Sequence, residues 1–249
     1  MPHDAPHVTI PNLGVFEECS HSQKLHIQNV VRLRIYKNGE TIIKKGEPSP
    51  FVGLILSGVV IVMRERTEGS DAVMAFHLPT DIIGVPDQTP SMFDIVASGT
   101  VKIAYWTVED FTEIIQMAPS VILRAISRAL DRLELVQDWI VKANQLDARM
   151  RLISLIALMA HRHVQAGLSS PEEPVNLKLP ASRDQIGSLL GLGLYTVSRQ
   201  MGDLKDEGLI EFDGPHLIVV PNPRKLWDLC SCNGLDTEDD LARGFVGPV

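Results

Sequence analysis

Within Leu194-Tyr195-Thr196-Val197-Ser198-Arg199 a guanidinium, a phenol and two short hydroxyl side chains fall inside two helical turns. This is chemistry for recognising an anionic, edge-patterned surface, not for breaking bonds. A guanidinium matches the paired O6 and N7 acceptors of guanine, and Thr196 and Ser198 suit phosphates and base edges. Leu194 can pack on a thymine methyl; Tyr195 can do the same while its hydroxyl reaches a phosphate or a base edge. Upstream, Ser182 and Arg183 are placed for sugar–phosphate contacts, which orient a reader without specifying sequence. The residues therefore point to double-stranded DNA.

The elements that must position these groups are legible in the stretch from Ser182 to Val220. Ser182 followed by Gln185 is a capping-box start, which begins a helix near Arg183. Ile186, Leu189 and Leu190 share one face of it. Gly191-Leu192-Gly193 supplies the backbone freedom for a sharp turn. A second helix follows over about Leu194 to Glu207, with Val197, Met201 and Leu204 as its buried stripe and Tyr195, Ser198, Arg199 and Gly202 on the other side. Gly208 ends it. Leu209 to Phe212 and His216 to Val220 flank Asp213-Gly214, a hairpin signal. The unit reads as a winged helix-turn-helix; the competing reading is an ordinary helical hairpin in a core.

Composition sets the frame. With 249 residues, 45% hydrophobic and 22% charged, the chain is long enough for two domains with their own cores. Three cysteines, Cys19, Cys230 and Cys232, make no disulfide framework. No apolar run approaches the roughly 18 residues of a membrane span, and the start of the chain lacks a signal-peptide pattern. The expectation is a soluble cytoplasmic protein with no membrane partner. The net charge of −8 opposes nucleic-acid binding at first sight, but residues 145–225 hold nine basic and nine acidic residues. The excess acid lies elsewhere. A neutral domain still offers no basic stripe, so the DNA reading rests on geometry.

In chain order, residues 1–12 carry no assigned function. A short helix is expected between about Glu17 and Val30, with Leu25, Val30 and Val31 inward. From Val31 to Thr107, glycine-punctuated alternating segments predict strands over Gly53–Leu56, Val59–Glu65, Val73–His77, Phe93–Val96 and Val101–Thr107, an antiparallel sandwich or roll. Phe111, Ile114 and Ile115 mark a short helix ending near Pro119. A long helix is expected from about Ser120 to Asn144, where Leu123, Ile126, Leu130, Leu133 and Ile140 form a seam. The seam predicts a parallel homodimer; packing against the chain's own sheet is the alternative. After a hinge near residues 145–147, an apolar helix spans about Ala148 to Val164. The expected fold class is thus α+β, with an antiparallel β-roll sensor-like domain over 20–118, a dimerisation helix and hinge over 119–145, a winged helix-turn-helix domain over 146–225 and a C-terminal tail over 226–249.

With these pieces placed, the chain resembles the cyclic-AMP receptor and fumarate-nitrate regulator (Crp/Fnr) family of bacterial transcription factors over roughly residues 20–225. The roll matches in Lys37-Asn38-Gly39-Glu40, Gly46-Glu47, Ile55-Leu56-Ser57-Gly58-Val59 and Pro79-Thr80-Asp81-Ile82-Ile83-Gly84. The DNA-binding end matches in Ser182-Arg183-Asp184-Gln185-Ile186-Gly187, Thr196-Val197-Ser198-Arg199 and Glu207-Gly208-Leu209-Ile210. The resemblance implies a homodimer that binds a roughly palindromic operator and contacts RNA polymerase, and no enzyme activity.

The departures from the family pattern are informative. Cyclic-nucleotide-binding members cradle ribose and phosphate with a Gly-Glu pair and an Arg-Ser pair. Here Gly84 is followed by Val85, and the second stretch reads Met92-Phe93-Asp94, apolar side chains and a carboxylate in a degenerate effector pocket. Cyclic AMP is not expected. Iron–sulfur members need four cysteines, more than this chain has, and no cofactor is assigned. Haem at His77, a redox role for Cys230 and Cys232, an unknown apolar effector, and service as a protein-binding adaptor stay open as alternatives. A cupin-type metalloenzyme is not supported, because His77 is the one histidine in residues 31–107. The family's arginine and glutamate after the turn correspond to Leu194 and Tyr195, so the operator should differ from those of the founding members.

Overall fold

The computed structural model describes residues 15–65, 71–87, 89–127, 129–130, 146–179, 182–214 and 217–232. The chain enters through α1 (His21–Val30), which starts where Ser20 accepts the Gln23 amide and Gln23 reaches back to the Ser20 amide. This second capping box shifts the helix start past Glu17. Its buried residue is Ile27, whereas Leu25 faces outward.

The roll comprises β1 (Arg32–Tyr36), β2 (Thr41–Ile43), β3 (Phe51–Glu65), β4 (Asp71–His77), β5 (Ile82–Ile83) and β6 (Asp94–Thr107). All pairings are antiparallel, in the order β1-β6-β3-β4, with β2 also on β6 and β5 on β3. Two corrections apply to the expected strands. The segments split around Gly58 and around Gly99 are single long strands, β3 and β6; the β3–β6 ladder runs on through register shifts between Ile55 and Val59. A bulge bends a strand without ending its pairing. The roll interior is filled by Tyr36, Ile43, Phe51, Ile55, Val60, Ile83, Ala97, Val101 and Ile103.

Below the sheet, Trp106, Phe111, Ile114, Ala118 and Val121 join Phe16 and Ile27 in a second cluster, and the Trp106 indole N–H donates to the Ile27 carbonyl. Here α2 (Val108–Met117), capped by Thr107, hands over to α3, of which residues 120–127 and 129–130 are described. Val121 is buried against the roll and Ala125 packs beside it. Leu123, Ile126 and Leu130, on the opposite face, are 67%, 50% and 56% exposed. The packing alternative thus uses a different stripe from the seam. Leu133 and Ile140 lie outside the described residues.

The second domain opens with α4 (Ala148–Gln165), capped by Asp147. It continues through β7 (Val175–Lys178), α5 (Arg183–Leu190), α6 (Leu194–Asp206), β8 (Glu211–Phe212), β9 (Leu217–Val220) and α7 (Pro223–Cys232). β9 is the central strand of the small sheet, between β7 and β8. The tail boundary at residue 226 is corrected: it falls inside α7, whose Leu226 and Cys230 are buried against α4. The core of this domain is continuous with the face of the roll formed by Val59, Ile61, Val73, Phe76 and Leu78.

Candidate nucleic-acid interface

The first helix of the reader, α5, is built as its sequence dictates. Ser182 Oγ accepts the Gln185 amide at 3.2 Å, and Gln185 Oε1 accepts the Ser182 amide at 2.9 Å. The turn that follows needs glycine at Gly191, which is left-handed at φ 66°, but not at Gly193, which has φ −73°. A further glycine, singled out only as part of a motif in the sequence, fixes the geometry. A Cβ on Gly187 would stand 2.5 Å from the Leu192 carbonyl oxygen, and that same turn is closed by the Leu192 amide donating to the Gly187 carbonyl at 2.8 Å. The two helices can approach only because this side chain is missing.

The second helix, α6, buries Val197, Met201 and Leu204 completely. Its outward side carries Leu194 at 52% and Tyr195 at 79% exposure, with Arg199 also exposed and Thr196 and Ser198 half-buried. Two large apolar groups held in solvent next to an arginine are costly on a surface that meets only water. Ser182 and Arg183 sit at the N-terminus of α5, where backbone N–H groups and the positive end of the helix favour a phosphate. The Arg183 guanidinium lies over the Phe212 ring, 5.6 Å from its centroid, with Lys205 at 5.9 Å. The wing's aromatic residue thus holds two cations near the reader.

Two arginines of α4 lock the unit. Arg149 grips Glu207 at the end of α6 with two bonds of 2.8 and 2.6 Å. Arg151 donates from Nε to the Leu146 carbonyl at 3.1 Å and from Nη1 to the Leu190 carbonyl at 3.2 Å, tying the hinge to the turn. Both roles escape sequence reading, because Glu207 and Leu190 lie far along the chain from their arginines.

The remaining candidate residues fall elsewhere. Val85 and Met92, expected in a degenerate effector pocket, are 47% and 75% exposed and do not lie in the roll interior. Asp94 Oδ1 accepts the Lys45 amide at 2.9 Å. A carboxylate anchored there, with no guanidinium beside it among the described residues, does not fit a cyclic phosphate. His77 Nδ1 is 3.7 Å from the Asp81 carboxylate near the domain junction, so its ring is part of an intramolecular contact. Cys230 is buried and desolvation lifts its thiol to about 11, against a smaller lowering by Ser154. That argues against a redox-active thiolate. Cys19 belongs to the cluster under the roll, and among the described residues no three His, Cys, Asp or Glu side chains form a metal-binding group.

A glycine-turned, wing-flanked reading helix in one domain, and in the other an antiparallel roll followed by a helix with an exposed apolar stripe, define a DNA-binding regulator. The Crp-like helix-turn-helix domain family matches residues 150–229, and the cyclic nucleotide-binding domain family matches residues 33–118. The chain belongs to the Crp/Fnr family and is a transcription regulator, not an enzyme. It is 27% identical to the transcriptional activator protein FnrL of Cereibacter sphaeroides over 217 residues, 87% of this chain and 88% of that one. It is also 27% identical to the electron transport regulator A of Shewanella oneidensis over 196 residues, 77% and 76% of the two chains. The fold superposes on FixK2 from Bradyrhizobium japonicum with a TM-score of 0.64 at 24% identity, covering 80% of this chain and 97% of that one. The global regulator CLP of Xanthomonas campestris gives 0.55 at 16%, covering 82% and 99%. Among the described residues no helix is long and apolar enough to cross a membrane.

Proposed function

We propose that the chain acts as a homodimeric, cytoplasmic transcription regulator that reads a roughly palindromic operator through α6, contacts RNA polymerase, and does so without cyclic AMP or an iron–sulfur cluster. The observation that carries this reading is the exposed row of Leu194, Tyr195 and Arg199 above the fully buried Val197, Met201 and Leu204. Arg199 reads a guanine, Leu194 and Tyr195 pack on a neighbouring thymine, and Thr196 and Ser198 add polar contacts. Ser182 and Arg183 hold the backbone. Independence from cyclic AMP is supported by the Asp94 carboxylate, which accepts the Lys45 amide, and by exposed, apolar Val85 and Met92. Exposed Leu123, Ile126 and Leu130 support a second copy of the chain as the partner of α3.

The test is binding of the purified protein to an operator selected from random duplexes, with no nucleotide added, followed by competition with single-base variants. Arg199→Ala should relax preference at one base pair per half-site, by about 1–3 kcal/mol. Arg183→Ala should weaken all sequences alike and flatten the salt dependence. Retention of the full wild-type base preference by Arg199→Ala would overturn the orientation of α6. A strict requirement for cyclic AMP would overturn the reading of the roll.

A further inference from the structure

Among the described residues, a buried ion pair joins the roll to the DNA-binding domain. In the turn between β4 and β5, Leu78 donates its amide to Asp81 Oδ2 at 2.9 Å, and Asp81 returns its own amide to the Leu78 carbonyl at 3.0 Å. The turn is pinned to β3, since Thr80 donates to the Ile55 carbonyl at 2.8 Å and Ile55 to the Asp81 carbonyl at 3.0 Å. Thr80 sits at φ 78°, the one non-glycine in the left-handed region among the described residues. For a β-branched residue that conformation is disfavoured by roughly an order of magnitude, and it persists only where the surroundings impose it.

The strained turn aims two oxygens at one guanidinium. Arg162, in the last turn of α4, donates from Nη1 to Thr80 Oγ1 at 2.8 Å and places Nη2 3.4 Å from Asp81 Oδ1. Arg162, Thr80 and Asp81 are all buried. Around them, Val59, Ile61, Val73, Phe76 and Leu78 pack into the core of the DNA-binding domain, α5 lies on β4, and the Lys178 side chain crosses over Gly99.

Apolar faces can slide over one another, but a buried ion pair accepts one register, because any other strands a charge. We infer that Arg162, Thr80 and Asp81 form an interdomain latch that holds the DNA-binding domain in a single orientation on the roll, and thereby sets the half-site separation that the dimer accepts. This rests on the reading of the chain as a dimeric operator binder. Each recognition helix reaches its half-site only if its domain keeps a fixed offset from the dimer axis. A docked domain supplies that offset with no ligand.

The variants are Asp81→Asn, which keeps an acceptor for the Leu78 amide but strands Arg162, and the double variant Asp81→Asn/Arg162→Met, which removes the stranded charge. Removing one partner of a buried pair shifts such an equilibrium roughly 10²–10³-fold, and an apolar replacement of both partners restores it. Small-angle scattering of the free full-length dimer should expand for Asp81→Asn and return to the wild-type radius for the double variant. On duplexes carrying the same half-sites at altered separations, the wild type should lose about tenfold or more on either side of its optimum, while Asp81→Asn should stay within about threefold across the series. Wild-type scattering together with a wild-type spacing profile in Asp81→Asn would overturn the latch. If no duplex binds even the wild type, it is the operator-binding reading that fails. The scattering then decides the latch alone: expansion upholds it, and an unchanged radius rejects it.

Discussion

Substituting Leu130 by glutamate puts a carboxylate into the exposed stripe of α3 in both copies of a dimer. The stripe residues are about half exposed in the single chain, so pairing would bury about half of each side chain, on the order of 1 kcal/mol apiece. The charge costs more. A carboxyl with an ordinary value near 4.3 escapes burial at pH 7 by taking up a proton, which caps its penalty at about 4 kcal/mol per copy. Two copies thus lose up to ~10 kcal/mol, and half of that, ~5 kcal/mol, already moves a nanomolar dimer into the micromolar range. Light scattering at submicromolar concentration should read a monomer for Leu130→Glu. Leu168→Glu, in the loop after α4 and also an exposed leucine, should remain a dimer. Operator affinity should fall with the dimer, because a lone protomer holds one half-site. A Leu130→Glu protein that stays dimeric would refute the assignment of α3 as the interface.

Gly187→Ala should weaken the reader by about 1–3 kcal/mol through the clash with the Leu192 carbonyl, visible as a lower Tm and weaker operator binding; unchanged melting would show that the turn can open at no cost. Leu204→Ala, deleting a fully buried side chain beneath α6, should cost about 2–5 kcal/mol in denaturant unfolding. Burial, and then the neighbouring Arg162, lower His161 from 6.5 to about 4. The folded state therefore holds a neutral imidazole that the unfolded chain protonates first, and stability is full above about pH 6.5 and is lost as pH falls toward 4. The full span would be ~3 kcal/mol, reduced by partial exposure to about 1–2 kcal/mol. His161→Leu should flatten that acid limb, and an unchanged slope would place the titration elsewhere.

The reader was legible because its signals are local. Ser182 and Gln185 are three residues apart, and Val197, Met201 and Leu204 follow one helical stripe. The roll was legible only in part. β1, Arg-Leu-Arg-Ile-Tyr, alternates the wrong way for a half-buried strand, since Ile35 faces solvent while Tyr36 is buried. β2 and β5 are too short to show a period. The boundary at residue 226 failed for a related reason: α7 is short, and its burial is decided by α4, far back in the chain. The effector stretch misled in another way, because Val85 and Met92 read as pocket residues and are exposed. Hydrophobicity gives no direction on a loop that has no period.

The α4–α7 packing also orders events during synthesis. All of the described strands of the roll, and the cluster beneath it, are complete by residue 121, so the roll can close while the rest of the chain is still being made. The face carrying Val59, Ile61, Val73 and Phe76 is then apolar and uncovered until α4 arrives. α4 in turn cannot finish its own core alone, since the central strand of its sheet is β9 and its last covering element is α7. A nascent chain stalled between α4 and Leu217 therefore still shows the open apolar surface of the second domain. That interval, not the finished protein, is when this sequence is most exposed to aggregation and most in need of a chaperone.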